Sequence, residues 1–239
     1  MNSKLSILTL LAAGAMLLTV PSRAQVQLGD FESMRAPKWR LAVQGGYGYR
    51  IARVQESGNE VVDAHLKKLK WGFTYGADVT YHWSDGFGIG LKYNDMHSDS
   101  KDAVMVTYED SGSESGMYND VIDIRFIGAV VSSRYVSASG KGIFFLDYGA
   151  GYLGYVDNGR ILSQEGVIKG GTLGACIDIG YDYRLMNNLY LGATLSSVSG
   201  TLSGYTETIS GKTEKVTLGK DEKEGLLHVD LSIGIRYYL

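Results

Sequence analysis

The sequence predicts an all-β protein: an eight-stranded antiparallel up-and-down transmembrane β-barrel. Apolar and polar residues alternate with a period of two in eight stretches between Trp39 and Leu239, and an export-type apolar run precedes them. Such alternation indicates strands with one apolar and one polar face. The connections between the stretches alternate between short and long, which is typical of barrels that cross an outer membrane.

The first 24 residues have the pattern of a secretory signal peptide. An apolar run from Leu5 to Val20 is followed by Ser22-Arg23-Ala24, with small residues three and one before a cut at Gln25. The run is short for a helix that spans a membrane. We therefore expect a signal peptide at 1–24, a short periplasmic segment at 25–38 and the barrel at 39–239.

Composition argues against several functional classes. The chain has 26 acidic and 23 basic residues, a net charge of −3, which argues against a nucleic-acid partner. Cys176 is the only cysteine, so no intramolecular disulfide and no cysteine-based zinc site are expected. The sequence carries no nucleotide-binding fingerprint, and we expect no cofactor. After the signal, no apolar run is long enough to span a membrane as a helix, so a spanning chain must close into a barrel.

The first three strands follow from clean alternation. Strand one is about Trp39–Ala52 and strand two about Leu69–Trp83, each with aromatic residues on one face and small or charged residues on the other. Ser84-Asp85-Gly86 then predicts a tight turn. Strand three begins at Phe87 and continues the same alternation.

Strand four, about Val121–Val131, is less regular. Its phase predicts Ile122, Ile124, Phe126 and Val130 on the outer face, with Asp123 and Arg125 on the other. The remaining strands begin near Phe144, Leu173, Leu189 and Leu227.

The connections fall into two groups. Short turns lie around residues 85, 139 and 187, and long polar loops at 53–67, 95–119, 156–167 and 199–224. Two of the long loops contain alternating stretches that predict hairpins beyond the membrane. These are Val104–Tyr108, before a Ser/Gly-rich tip, and Tyr205–Ile209, opposite Val216–Leu218.

Alternation alone does not decide which face is inside, because a soluble lipocalin-like barrel alternates too. Side-chain size favours a membrane barrel, since an eight-stranded barrel has room for few rings in its interior. The aromatic residues also gather near the strand ends, as two girdles at two membrane interfaces would. The predicted girdles comprise Trp39, Tyr49, Trp71, Trp83, Phe87, Tyr93, Phe144, Tyr152, Tyr183 and Tyr237.

With these features, the chain resembles the OmpA/OmpX-type outer-membrane barrels and the β-barrel-domain proteins of Bacteroidetes-like bacteria. The resemblance covers Trp39–Leu239 and implies outer-membrane lipids and the barrel-insertion machinery as partners. It also implies a C-terminal assembly signal formed by Ile233, Ile235, Tyr237 and Leu239. Members usually end in Phe, whereas this chain ends in Leu239.

The predicted inner face collects charges of both signs. Buried charges need partners, so we expect an ion-paired plug, with a narrow ion path as the alternative. The network is predicted to comprise Arg40, Arg50, Lys70, Asp78, Lys92, Asp123, Arg125, Asp147, Asp178, Asp182, Arg184, His228, Asp230 and Arg236.

Two stretches suggest chemistry. His97-Ser98-Asp99 follows strand three, and lipid A deacylases of similar barrels use a Ser, a His and an acid. The spacing differs from theirs, and a triad is defined by geometry rather than by adjacency. The acidic loop Asp95–Asp120 could attract a cation or a basic partner, although acidic loops are usually only solvated.

We therefore expect a protein of a Gram-negative outer membrane without catalytic or metal-binding residues. The leading hypothesis is a structural or surface-interaction role, with long extracellular loops that meet an unknown partner. A lipid A-modifying enzyme and a narrow ion channel are the alternatives.

Overall fold

The computed structural model describes residues 37–51, 60–108, 112–162, 164–219 and 223–239. The predicted signal peptide at 1–24, and the predicted periplasmic segment except for its last two residues, lie outside this part of the chain. Within it, no helix is both long and apolar enough to cross a membrane.

Eleven strands and one helix make up the described part of the chain. In order they are β1 (Trp39–Arg50), α1 (Glu60–Lys68), β2 (Trp71–His82), β3 (Phe87–Tyr108), β4 (Gly112–Val136), β5 (Gly142–Ile161), β6 (Gln164–Met186), β7 (Leu189–Leu202), β8 (Gly204–Ile209), β9 (Lys212–Thr217), β10 (Glu224–Gly225) and β11 (His228–Tyr238).

Eight of the strands close into a ring. Neighbours along the chain pair antiparallel from β1 to β7, β11 pairs with β7, and β1 pairs with β11. Trp39 and Leu239 exchange two backbone hydrogen bonds of 2.9 Å where the ring closes. The predicted eight-stranded antiparallel barrel is therefore confirmed, with β8, β9 and β10 as additions at one end.

The two ends of the barrel differ. The turn end carries the three short connections, after β2, β4 and β6, and also the beginning of β1 and the end of β11. The loop end is the opposite end. On the turn half, alternate residues expose large apolar side chains; Trp71, for example, is 62% exposed and Leu191 43%. Phe144 and Tyr152 mark its two edges on β5, and their separation matches the ~9–11 residues with which a tilted strand crosses a bilayer.

The predicted girdle residues lie on this outer face. Trp39, Trp71, Trp83, Phe87, Phe144, Tyr152, Tyr183 and Tyr237 are exposed there, and Tyr49 and Tyr93 are partly covered by neighbouring side chains. An apolar belt of this size on a monomeric surface indicates contact with lipid or protein rather than with water. The outward positions of Ile233, Ile235, Tyr237 and Leu239 continue the belt along β11.

Four strands run far beyond this belt, so the two predicted loops nearest the centre of the chain are strand over most of their length. The hairpin predicted from Val104–Tyr108 is confirmed, but it begins much closer to the belt than expected. β3 continues in register with β4 from Tyr93 to Tyr108, roughly 50 Å along the strand at ~3.3 Å per residue. β5 and β6 pair without a break up to Ile161 and Gln164. A sheet surrounded by water can be polar on its exposed face, so these strands lack the clear apolar alternation of the membrane-spanning part. Their polar composition therefore suggested loops.

The predicted phase of β4 is also wrong. All four residues predicted on the outer face point into the barrel and are at most 5% exposed: Ile122, Ile124, Phe126 and Val130. Asp123 and Arg125, in contrast, lie on the outer face. Even-numbered residues of β4 face inward throughout 120–134. What differs along the strand is the medium outside the barrel, which is lipid at the belt and water beyond it. Ile122, Ile124 and Phe126 lie past the Ile127–Tyr152 pair, beyond the apolar belt, where water outside the barrel drives apolar side chains inward. Val130 lies within the belt and shares their inward phase, while its neighbour Val131 faces outward.

The interior of the loop half is consequently an apolar core, here called the upper core. Met96, Ile124, Phe126, Leu153, Val198 and Leu226 have no measurable exposure, and Leu69, Ile122, Val130, Tyr155, Cys176 and Leu202 complete the cluster. The upper core closes the barrel above its charged lumen.

Candidate functional site

Ion pairs cross the lumen of the turn half. Arg40 on β1 donates to Asp78 on the next strand at 3.0 Å and to Asp147 on β5 at 2.5 Å. In an eight-stranded ring β5 lies opposite β1, so the second bond spans the lumen. The Phe145 ring packs 4.5 Å from the Arg40 guanidinium and fills the space beside it.

A second set of contacts joins β11 and β6. Arg236 lies 3.1 Å from Asp182, and Tyr238 donates a 2.6 Å hydrogen bond to the same carboxylate. Gly192 on β7 makes room for this pair, since a Cβ at that position would overlap the Asp182 and Arg236 side chains.

Two further contacts join β3 to β6 and to β11, which are not its neighbours in the ring. Lys92 donates to Asp178 on β6 at 2.5 Å, and Asn94 donates to Asp230 on β11 at 3.1 Å. His228 lies 3.5 Å from Asp230. The lumen is therefore filled by polar contacts, several of which join strands that do not pair with each other.

Five residues of the predicted network lie elsewhere. Asp123 and Arg125 are on the outer face, where Arg125 donates to Asp95 at 2.8 Å. Arg184 is only half-buried and lies at the turn end beside Gly140. Lys70 lies at the loop end, where its ammonium approaches the Tyr49 ring at 5.8 Å. Arg50, although buried, lines a cavity at the loop end rather than the paired lumen.

Sequence patterns missed several lumen residues. Asn94, Thr80, Thr194, Ser196, Tyr190 and Arg134 are all buried inside the barrel. The uncharged residues among them gave no reason to expect partners, and Arg134 lies past the end of the predicted strand four at Val131.

The stretch His97-Ser98-Asp99 does not assemble a triad. His97 points outward and bonds Asp123 at 2.7 Å, whereas Ser98 points into the barrel and is 1% exposed. Consecutive residues of a strand face opposite sides, so these two side chains do not meet. The predicted acidic loop is strand over most of its length, and the described residues hold no group of three or more His, Cys, Asp or Glu placed to bind a metal.

A histidine from a predicted loop organises the loop end. His65 on α1 is fully buried, bonds Asp102 of β3 at 2.8 Å and Asp120 of β4 at 3.1 Å, and stacks on Tyr118 with centroids 4.0 Å apart. Ser100 lies 3.2 Å from the same ring. Ser, His and Asp thus meet here around a fully buried imidazole, and these contacts anchor α1 inside the barrel mouth.

The hydrogen bond from Lys68 and that with His65 hold the pKa of Asp102 at about 2. Asp102 is consequently charged at neutral pH and binds the His65 and Lys68 side chains of α1. This pairing fixes the C-terminal turn of α1 against β3.

A cavity of about 490 Å³ opens beside α1, above the upper core. Apolar and aromatic side chains form much of its wall: Leu66, Leu69, Tyr118, Ile122, Tyr155, Ile168 and Ile209. Its charged lining consists of Arg50, Lys70, Asp120, Asp157, Glu165, Glu207 and Glu224. The cavity combines apolar walls with a few convergent polar groups, as small-molecule sites commonly do.

Burial and the nearby charge of Asp120 raise the pKa of Asp157 to about 6. The hydroxyl of Tyr155 donates to Asp157 at 3.1 Å and partly opposes this rise. Burial also raises the pKa of Glu224, against the effect of Arg50. The cavity therefore contains carboxylates that are incompletely solvated.

Sequence comparisons give no family: no family model and no curated protein matches the chain. Solved structures do match. A major outer membrane protein from Thermus thermophilus is 12% identical over 84% of this chain and 99% of its own, with a TM-score of 0.52. Neisserial surface protein A is 10% identical over 84% and 97%, with a TM-score of 0.50. OprG from Pseudomonas aeruginosa is 10% identical over 88% and 100%, also at 0.50.

These matches cover nearly the whole length of each solved chain, so they concern the complete barrel rather than a shared hairpin. At such low identity the likeness concerns the fold alone. The ring of eight strands, the apolar belt and these matches together identify the chain as having the fold of the small outer-membrane β-barrel proteins.

Proposed function

We propose that this chain is a non-conducting barrel of a Gram-negative outer membrane that serves recognition at the cell surface. The apolar belt between the two girdles supports the membrane location, because it would be covered by lipid there. In the usual orientation of such barrels the short turns face the periplasm, which puts the loop end outside the cell.

The observation that carries the proposal is the closed interior beneath a long, ordered sheet. Salt bridges such as Arg40–Asp147 cross the lumen, and the upper core lies above them. A solute would have to break buried ion pairs and displace packed apolar side chains. A narrow ion channel would need a continuous polar path through the barrel, and these contacts oppose one.

The regular extension of β3 to β6 supports recognition as the role of the loop end. Continuous strand pairing holds the backbone of these hairpins in a fixed arrangement, whereas a flexible loop would lose entropy when it binds. The β8–β9 hairpin adds two strands to the edge of β6 and widens the same surface.

An adhesion assay on intact cells tests this role. Cells that express the full chain should adhere to at least one member of a panel of immobilised matrix proteins and polysaccharides more strongly than cells without it. A variant in which Gly204–Thr217 is replaced by a short Gly/Ser linker should lose that gain at an equal level of surface protein.

Two results would contradict the proposal. One is adhesion that is unchanged across the panel together with uptake of small solutes by liposomes that contain the chain. The other is recovery of the protein from the soluble periplasmic fraction, which would favour the lipocalin-like arrangement.

A further inference from the structure

The cavity at the loop end contains a cation that its surroundings do not satisfy. Arg50 is 8% exposed, and its Nε has no hydrogen-bond partner within the described chain. The carboxylate of Glu224 approaches only to 3.6 Å, from a side chain that is 43% exposed. A guanidinium has five N–H donors, and a buried donor without an acceptor costs free energy. Arg50 therefore offers a binding position for an anionic acceptor.

The same cavity contains an acceptor without a donor. Asp157 receives the Tyr155 hydroxyl on Oδ2, while its buried Oδ1 has no partner among the described residues. Asp120 adds a second carboxylate, already bound through Oδ2 to His65. A ligand ammonium would satisfy the free oxygen of Asp157 and lessen the repulsion between the two acids.

The two unsatisfied groups are close enough for one small molecule. The Arg50 guanidinium lies 5.8 Å from the centre of the Tyr155 ring, and the hydroxyl of that ring bonds Asp157 at 3.1 Å. Arg50 thus lies over the ring of Tyr155, and Asp157 lies at the hydroxyl of the same side chain. Apolar side chains from α1, β4 and β6, among them Leu66, Ile122 and Ile168, line the space around them.

We propose that this cavity binds a small zwitterion with apolar side chains, in the class of apolar amino acids and dipeptides. Its carboxylate binds Arg50, its ammonium binds Asp157, and its side chains contact the apolar wall. A simple anion would meet the carboxylates of the cavity, and a simple cation would meet Arg50. An uncharged apolar molecule would leave both charges without partners. The site goes beyond the surface role proposed above and does not require the lumen to be closed.

Calorimetry with the detergent-solubilised full chain tests the ligand class. The probe is L-leucyl-L-leucine, compared with its N-acetylated form, which lacks the ammonium, and its C-terminal amide, which lacks the carboxylate. We expect saturable binding of the free dipeptide and at least tenfold weaker binding of each blocked form. L-Leucine serves as a second, smaller probe. The proposal would be overturned if neither L-leucine nor the dipeptide bound saturably, or if the blocked forms bound as tightly as the free dipeptide.

Two variants assign the contacts. Arg50→Gln should abolish the preference for the free dipeptide over its amide, and Asp157→Asn should abolish the preference over the N-acetylated form. Arg160→Gln is the matched control, because Arg160 is exposed and outside the cavity lining. If both variants keep the preferences of the unchanged chain, the assignment is wrong. If either variant fails to fold, the blocked dipeptides on the unchanged chain still decide between the outcomes.

Discussion

At the scale of single residues, the lumen is held by charges whose partners lie far away along the chain, some of them on the opposite side of the barrel. Arg40 illustrates this, since its guanidinium is 1% exposed and contacts carboxylates on β2 and β5. A buried pair adds little stability relative to an apolar filling of the same shape, but removal of one partner leaves the other charge buried and unpaired.

Arg40→Ala should therefore destabilise the barrel strongly. We expect a loss of about 3–5 kcal/mol in the free energy of unfolding, because Asp147 would stay buried without its cation. The measurement is a urea titration of the protein refolded in lipid vesicles. Arg160→Ala is the control: its pair with Glu165 is exposed, and such pairs contribute about 0–1 kcal/mol. Equal losses for the two variants would contradict the role given to Arg40.

Asp157 gives a prediction with a definite pH window. Its pKa is about 6 in the folded protein against an ordinary 3.8, so the folded state binds the proton more tightly than the unfolded state. The contribution of this group to stability consequently falls as pH rises from about 4 to about 6. Asp157→Asn should raise the free energy of unfolding at pH 7.5 by at most about 3 kcal/mol and leave it nearly unchanged at pH 3.5. A variant that is less stable than the unchanged chain at pH 7.5 would contradict this.

The residue scale also shows what sequence patterns can and cannot predict. The inward phase of Arg40 and Asp147 follows from alternation on their own strands. Their pairing does not, because it joins residues 107 positions apart through the curvature of the ring. The unsatisfied atoms of Arg50 and Asp157 were likewise beyond prediction, since they depend on which donors and acceptors the fold brings close.

At the scale of elements, β4 and α1 explain most of the differences from the predicted fold. On β4 the alternation was recognised, but both faces carry apolar residues, and the even-numbered face was assigned outward. Ile127 and Val131 in fact face outward within the belt, whereas Ile124 faces inward above it. On α1 a nine-residue helix with acidic residues in its first turn was hidden in a stretch that reads as a polar loop.

The anchoring of α1 by His65 is directly testable. His65→Ala removes the contacts with Asp102, Asp120 and Tyr118 together. We expect the backbone amides of Glu60–Lys68 to exchange with deuterium at least tenfold faster, while exchange in the membrane-spanning parts of β1 and β2 stays unchanged. Lys67→Ala is the control, because Lys67 is exposed on the same helix. Unchanged exchange in the helix would show that apolar contacts of Leu66 hold it instead.

The β8–β9 hairpin should be separable from the barrel. Apart from its own partner β9, β8 pairs only with Gly166–Gly170 of β6, whereas β6 pairs with β7 from Gly174 onward. Replacement of Gly204–Thr217 by a short linker should shift the free energy of unfolding by less than about 1 kcal/mol, because loop-closure entropy changes slowly with length. A loss of the folded, heat-modifiable band on cold electrophoresis would contradict this. The exposed charges on β9, from Lys212 to Lys215, also protect the sheet edge from pairing with other chains.

At the scale of the whole molecule, the barrel consists of two halves with opposite polarity. The turn half has an apolar exterior and a charged interior, and the loop half has a more polar exterior around the upper core. Alternation and the positions of the aromatic residues were sufficient to predict the first half. The second half could not be assigned from the pattern alone, because only the height of each residue relative to the belt decides which face meets water.

The closed lumen is the central claim, and electrical recording across a planar bilayer tests it most directly. The full chain should insert, as judged by its folded form in the same lipid, and should produce no steady single-channel current in 1 M KCl, a salt concentration that screens surface charge over about 3 Å. Salt bridges across the lumen and the packed upper core leave ions no continuous path. Reproducible, steady current steps from the folded protein would contradict the account.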